Sequence, residues 1–299
     1  MSSKSILVKA ESPSPDRGLI AGVKATSAGW RYLNLEVRRL LEGDCFESDT
    51  GSNEAVIVSL GGRFSVKSSQ GKYENLGRSP DVFGGLPYAL YLSTGTQFEL
   101  LAHEDGVEIA YCFVPSDQRH QERAITPEDI VPEIRGGGSA TRQINTIIPP
   151  GFDCHRLVAC EAYTPGGNWS SYPPHKHDTI IEENGRIIEA ELEEIYFYKF
   201  RRPEGFALQR IYNDDRSLDE VAVPHNNDIV LVREGYHPVS APDGYDCYYL
   251  NFLAGSHQSL ACSDDPAYKW VKETWDSKDP RLPMVGAGQT EKNRVAASI

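Results

Sequence analysis

Apolar residues in this chain come in short runs rather than long stripes. Ala55–Val58, Tyr88–Leu92, Ile195–Tyr198 and Asp228–Val232 are strand-length segments rich in Val, Ile, Leu, Tyr and Phe. Turn signals such as Asp-Gly and Gly-Gly bound them, and this reads as β-strand punctuated by tight turns. Helical spacing is nearly absent. One short helix is predicted at Thr126–Ile130, with Thr126 as N-cap, Pro127 in the first turn and acids beside it. A second is predicted from Pro266 to Trp275. Many short strands with few helices predict an all-β sandwich or barrel.

The strand pattern repeats. Glu54-Ala-Val-Ile-Val-Ser-Leu resembles Glu194-Ile-Tyr-Phe-Tyr-Lys-Phe, and Leu92–Gln97 resembles Val232–His237. Asp105–Cys112 resembles Asp243–Leu250, and Glu54 is as far from Gly95 as Glu194 is from Gly235. Three matches in order predict two related β-domains, joined near the glycine-rich Arg135–Ser139. We place an N-terminal domain at 1–134, a second at 135–265, and a tail with a short helix at 266–299.

Composition narrows the function. The chain has 299 residues, 39% hydrophobic and 24% charged, an ordinary globular balance with enough length for a sizeable core. A formal charge of −13 opposes both nucleic-acid phosphates and anionic lipid. No stretch approaches the ~20 apolar residues of a membrane helix. Met1–Ile6 carries no secretory apolar run. The six cysteines are scattered without a C-x-x-C pair, which reads as reduced thiols of the cytoplasm. The expected partner is a small molecule, with no nucleic acid and no membrane, and the composition allows a homo-oligomer.

The halves differ in chemistry. The second carries Pro173-Pro174-His175-Lys176-His177-Asp178 and Gly235-Tyr236-His237, whereas the first has Gln97 where the second has His237. If residues 175–177 are extended, His175 and His177 project to the same face. Together with Glu194 and His237 they form a borderline-to-hard donor set. It suits one divalent ion among Zn, Mn, Fe, Co and Ni, with positions open for water or substrate. Glu182, Glu183, Glu191 and Glu193 compete for the carboxylate role; Glu194 is chosen because its place in the repeat matches Glu54. The opposing interpretation is a solvated histidine pair in a loop and a charge on an edge strand. Apart from these three and five unclustered others (His103, His120, His155, His225 and His257), the chain has no histidine.

H-x-H, a carboxylate and a distant G-x-H in a β-domain resemble the cupin family. Several stretches resemble the 5-deoxy-glucuronate isomerases of inositol catabolism. They are Trp169–Asp178, Leu192–Phe200, Asn227–Pro238, Tyr249–Gly255 and Asp279–Met284. That family is similar to the 4-deoxy-threo-hexosulose-uronate ketol-isomerases of pectin breakdown. The resemblance implies two tandem cupin-like jelly-roll barrels, with a metal held in the second by His175, His177, Glu194 and His237. One departure is the long insert from Asp178 to Glu193, where Asn184-Gly185 predicts a hairpin that could lie over the site.

The resemblance also implies an aldose–ketose shift, 5-deoxy-D-glucuronate to 2-deoxy-5-keto-D-gluconate, through an enediol(ate). A bound cation would polarise the carbonyl. For the proton carrier, Asp178 and Tyr248 are the leading candidates, with Tyr249, His155, Lys199 and metal-bound water open beside them. Asp178 reads equally well as a residue that orients a ligand. A sugar-acid carboxylate calls for an arginine, and Arg142 and Arg210 are the candidates, with Trp169 and Tyr172 as pocket lining. Two rival readings share the fold: a metal-dependent dioxygenase, and a non-catalytic sugar-binding protein.

Overall fold

A computed structural model describes residues 5–11 and 18–286. The expected strands form as Asn53–Ser68, Ala89–Leu92, Leu192–Phe200 and Ile229–Val232. The protein is mostly β, and each half carries one main sheet. In the first half a nine-stranded sheet runs in the order Arg123–Ile125, Ala89–Leu92, Asn53–Ser68, Val107–Pro115, Asn34–Leu40, Leu19–Val23, and curls over through Cys45–Asp49, Gln97–Ala102 and Lys72–Arg78. The second half builds a seven-stranded sheet centred on Leu192–Phe200, Cys247–Gly255 and Val158–Thr164. A four-stranded sheet of Trp169–Ser170, Val239–Ser240, Leu208–Tyr212 and Asp219–Ala222 faces it. No helix among the described residues is long and apolar enough to cross a membrane.

Both expected helices are single 3-10 segments. Pro127–Asp129 is closed by a reciprocal cap between Thr126 and Asp129. Lys269–Thr274 buries none of its residues, so no apolar face holds a longer α-helix there. All six cysteines are free. Two pieces of chain cross between the halves. Leu7–Val8 pairs with Ile229 and Val230 of the second sheet, and Glu133–Arg135 pairs with Arg142–Ile144. Residues 287–299 of the expected tail, and 1–4 and 12–17 of the first half, lie outside the described residues.

Sheet register fixes the repeat and corrects its alignment. Ala55 pairs with Leu92 and Phe113, and Glu194 pairs with Val232 and Leu253. Ala55 therefore corresponds to Glu194, and Glu54 to Glu193, one residue from the sequence match. The third match slips by two, because Val107 and Cys247 begin the equivalent strands. Similarity of residue type misled here; in a sheet the hydrogen-bonding partner defines equivalence, and a one-residue slip exchanges the two faces.

Three large apolar clusters follow from the period-two alternation, beside a small fourth one around Leu192 and Leu253. One fills the first half, with Ile57, Phe64 and Leu100. Another fills the second, with Tyr196, Tyr198, Phe200 and Tyr249. The third lies between the halves and takes Val56 and Val58 from one, and Ile195, Phe197, Tyr248, Leu250 and Phe252 from the other. Each central strand is thus buried on both faces, which explains its near-continuous apolar sequence. In the shared layer Arg78 is fully buried against Glu161 at 2.9 Å, with Tyr163 and Tyr248 hydroxyls on the same pair.

Candidate metal centre and its cavity

Glu194 lies on the inner face of Leu192–Phe200, the same face as Tyr196 and Tyr198, because side chains alternate along a strand. His177 follows the short strand His175–Lys176, which pairs with Ser263–Asp264. Its carbonyl accepts from Leu192 N at 2.9 Å, and its ring Nδ1 donates to Leu192 O at 3.2 Å. His237 sits in the loop after Ile229–Val232, and its Nδ1 donates to Gly235 O at 2.9 Å. The glycine of this G-x-H turn is sterically required. Gly235 has φ +85°, and a Cβ there would lie 2.5 Å from Tyr212 O.

His177, Glu194 and His237 are buried, and their ligand atoms lie within 4.8 Å of one another. His177 Nε2 is 2.9 Å from Glu194 Oε2, and His237 Nε2 is 3.3 Å from it. His175 completes a triangle of rings, 4.8 Å from His237 and 6.4 Å from His177 between centroids. It stands beside the three-residue group rather than within it. Burial, reinforced by His237 and His177, holds the His175 imidazole well below its ordinary pKa. Burial alone would raise the Glu194 carboxyl, but the His177 and His237 imidazoles beside it outweigh that and bring it down to about 2.

These residues fit a divalent cation. A carbonyl only accepts, so the Nδ1 atoms of His177 and His237 carry the protons, and their Nε2 lone pairs face the Glu194 carboxylate. Lone pairs converging on one point are satisfied by a cation between them or, without one, by a proton on His177 Nε2, 2.9 Å from Glu194 Oε2. His237 Nε2 is buried with no hydrogen-bond partner, which is the position of a ligand atom. Backbone carbonyls behind both imidazoles are the usual supports that fix a metal-binding tautomer.

His177 and Glu194 of this cluster, with His237 buried behind them, line a cavity of about 320 Å³, within the range of small-ligand sites. Arg142, Tyr172, His175, Tyr196, Tyr249 and Asn251 also line it. Tyr249 Oη makes a short hydrogen bond to Ser170 Oγ and lies 3.4 Å from Ser171 Oγ, which reaches Tyr196 Oη at 3.0 Å. Burial pushes the Tyr249 phenol up to about 12.

Several expected site residues stand elsewhere. Tyr248 faces the shared layer, where its hydroxyl donates to Glu161; alternation along Cys247–Gly255 gives the cavity to Tyr249. Asp178 does not line the cavity. Its carboxylate accepts from Gly235 N at 2.8 Å, Lys176 Nζ at 3.1 Å and Thr179 Oγ1 at 3.1 Å, so it ties the two histidine-bearing loops together. Arg210 is half exposed and paired with Asp219 at 2.6 Å on the facing sheet. Trp169 is exposed and packs its ring on Tyr172, outside the cavity wall. Arg142 and Tyr172 do line the cavity. The insert forms the expected hairpin, with Asn184 and Gly185 at positive φ, but none of its residues from 179 to 193 reaches the cavity wall. Ser170 and Ser171 were absent from the sequence-derived set, since isolated serines before a proline pair carry no signal of a hydroxyl network.

Comparison with known proteins agrees with this architecture. A family model described as the KduI/IolB family matches residues 6–271. A 5-deoxy-glucuronate isomerase of Geobacillus thermodenitrificans (strain NG80-2) is 39% identical over 269 residues, covering 90% of this chain and 96% of that one. The crystal structure of an IolB-like protein from Salmonella typhimurium LT2 superposes with a TM-score of 0.84 at 34% identity, covering 90% of this chain and 99% of the other. An oxalate decarboxylase of Lactobacillus farciminis superposes with a TM-score of 0.63 at 10% identity, covering 88% of this chain and 90% of the other; this is a likeness of cupin-like fold alone.

Proposed function

The chain belongs to the KduI/IolB family, and from that membership we propose that it is a 5-deoxy-glucuronate isomerase acting at the cavity beside Glu194. The reaction is an aldose–ketose shift of 5-deoxy-D-glucuronate to 2-deoxy-5-keto-D-gluconate. The observation that carries the site assignment is the convergence of His177, Glu194 and His237 from three separate chain segments, with His177 and Glu194 lining that cavity and His237 buried behind them.

The shift exchanges protons without net redox change. The carbon next to the aldehyde loses a proton, and the electron pair moves through an enediol(ate). A proton returns to the former aldehyde carbon, while the neighbouring hydroxyl becomes the ketone. His177, Glu194 and His237 would hold a divalent ion, with His175 beside them, and such an ion supplies Lewis-acid polarisation of the carbonyl. Tyr249 stays protonated at neutral pH, so its hydroxyl donates to the oxygen where charge develops. Ser170, Ser171 and Tyr196 connect to it by hydrogen bonds and can replace a proton it gives up. Asp178 holds the Gly235 turn and so positions His237.

The test is direct. Purified protein is incubated with 5-deoxy-D-glucuronate in D₂O and followed by NMR. The expected result is formation of the ketose with deuterium at the former aldehyde carbon. Elemental analysis should find one divalent ion per chain, and chelation should abolish turnover until the ion is restored. Absence of ketose from metal-loaded protein rejects the isomerase assignment.

A further inference from the structure

Two arginines of the second half's environment are withdrawn from solvent, Arg78 almost wholly and Arg142 in part, and their surroundings differ. Arg78 has Glu161 against it. Arg142 has no carboxylate partner among the described residues, although it lies on the cavity wall with the histidine cluster. Its Nη1 donates to Ala140 O at 3.2 Å and Tyr172 O at 3.0 Å. Its Nε is buried with no partner. Two carbonyls thus pin one corner of the guanidinium, and its opposite edge, Nε and Nη2, is left without protein acceptors. That edge is one of the two that bind a carboxylate through paired, parallel hydrogen bonds. Gly136 makes room for the arrangement: a Cβ there would lie 2.8 Å from Arg142 Nη1. The other cations around this cavity are already neutralised, Arg135 by Glu133 and Lys272 by Asp264.

We propose that Arg142 is the carboxylate-binding residue of the cavity, taking the acid end of an acyclic sugar acid on its Nε–Nη2 edge and so directing the carbonyl end toward Glu194. This rests on the isomerase reading for the identity of the acid, but the anion site itself stands on the geometry of Arg142. An uncompensated buried guanidinium is costly in the free protein, and a bound carboxylate relieves that cost. Burial accordingly holds the Arg142 pKa below its ordinary value. The same residue then selects acids over neutral sugars, because a neutral ligand leaves the charge unpaired.

The experiment measures binding apart from turnover. D-Gluconate and D-glucitol differ in one carboxylate, and neither can isomerise. Calorimetric titration of the metal-loaded wild type should show gluconate binding roughly 100-fold tighter than glucitol. Arg142→Met should erase that preference, and Arg142→Lys should retain part of it, with both variants confirmed folded by circular dichroism and melting. Arg210→Met should leave the preference intact. With 5-deoxy-D-glucuronate, Arg142→Lys should raise KM far more than it lowers kcat. A wild type that binds the two polyols alike, or an Arg142→Met protein that still prefers gluconate, overturns the proposal. Wild type that prefers gluconate yet forms no ketose supports the anion site and rejects the isomerase reading instead.

Discussion

Glu54 and Glu193 occupy equivalent sheet positions in the two halves, and each carboxylate gathers three backbone amides from the opposite half. Glu54 accepts from His155 N at 2.7 Å, Arg156 N at 2.6 Å and Leu157 N at 3.1 Å. Glu193 accepts from Arg31 N at 2.6 Å, Tyr32 N at 3.0 Å and Leu33 N at 2.9 Å. The sheet registers make those two amide trios equivalent as well, since Leu35 and Ala159 pair with the corresponding residues Cys112 and Phe252. The halves are therefore locked by a reciprocal, pseudo-twofold clamp around their shared apolar layer.

Replacing Glu54 with Ala should destabilise the protein by about 3–5 kcal/mol, because the partly buried amides of His155 and Arg156, the buried amide of Leu157 and the Tyr91 hydroxyl lose their acceptor together. Glu193→Ala should cost less, since Glu193 is only partly buried whereas Glu54 is wholly so. Urea unfolding curves of the two variants decide this. Equal losses, or a loss within error of zero for Glu54→Ala, would contradict the clamp.

The clamp also shows what the sequence could and could not disclose. Strand runs and the H-x-H, Glu and G-x-H elements are local patterns, and they led to the β architecture and to the residues that the structure brings together at 177, 194 and 237. Glu194 was selected by matching Glu54, yet the true counterpart of Glu54 is Glu193, and Ala55 holds the place of Glu194. The residue-type match that points to Glu194 is offset by one residue from the sheet register. Which of two adjacent tyrosines faces the cavity, and which of two arginines lacks a counterion, depend on sheet parity and on partners distant in sequence. For that reason Tyr248 and Arg210, expected at the site, stand outside the cavity, one against Glu161 and the other paired with Asp219.

Tyr248→Phe and Tyr249→Phe should therefore part company. Tyr248→Phe removes one hydroxyl from Glu161, which keeps Arg78, and should cost about 1 kcal/mol of stability with turnover unchanged. Tyr249→Phe should lower kcat about 10²-fold while melting changes little by comparison. Steady-state kinetics beside thermal melts separate the two. The opposite pattern would return the proton-donor role to Tyr248.

Asp279 gives a pH-dependent test of the C-terminal segment. Arg281 above all, against some opposition from burial, lowers its carboxyl from 3.8 to about 2, and Asn168 donates to the same group at 3.0 Å. A carboxyl depressed in the folded state stabilises fully above its unfolded pKa and loses that contribution as pH falls through the folded value. The stability gap between wild type and Asp279→Asn should stay constant above about pH 5, narrow below about 4, and close near 2. Urea titrations across that range measure it. A gap that widens on acidification would reverse the sign and exclude the interaction.

Asp178 separates positioning from proton transfer. Its carboxylate joins the loop of His177 to Gly235 N, and the Gly235 carbonyl in turn orients His237. Asp178→Ala should leave the His237 turn less constrained and weaken metal affinity by about 10–100-fold, as losses of outer supports do. Competition with a chelator should record that loss directly. At saturating metal, kcat and the pH profile should return close to wild type, because no reacting atom depends on this carboxylate. A proton carrier would behave otherwise: metal content would be normal, kcat would fall about 10²–10⁴-fold at every metal concentration, and one limb of the pH profile would vanish. The two outcomes are exclusive. The carboxylate's full set of partners, Gly235 N, Lys176 and Thr179, leaves it engaged in holding loops, and so metal affinity is the quantity expected to move.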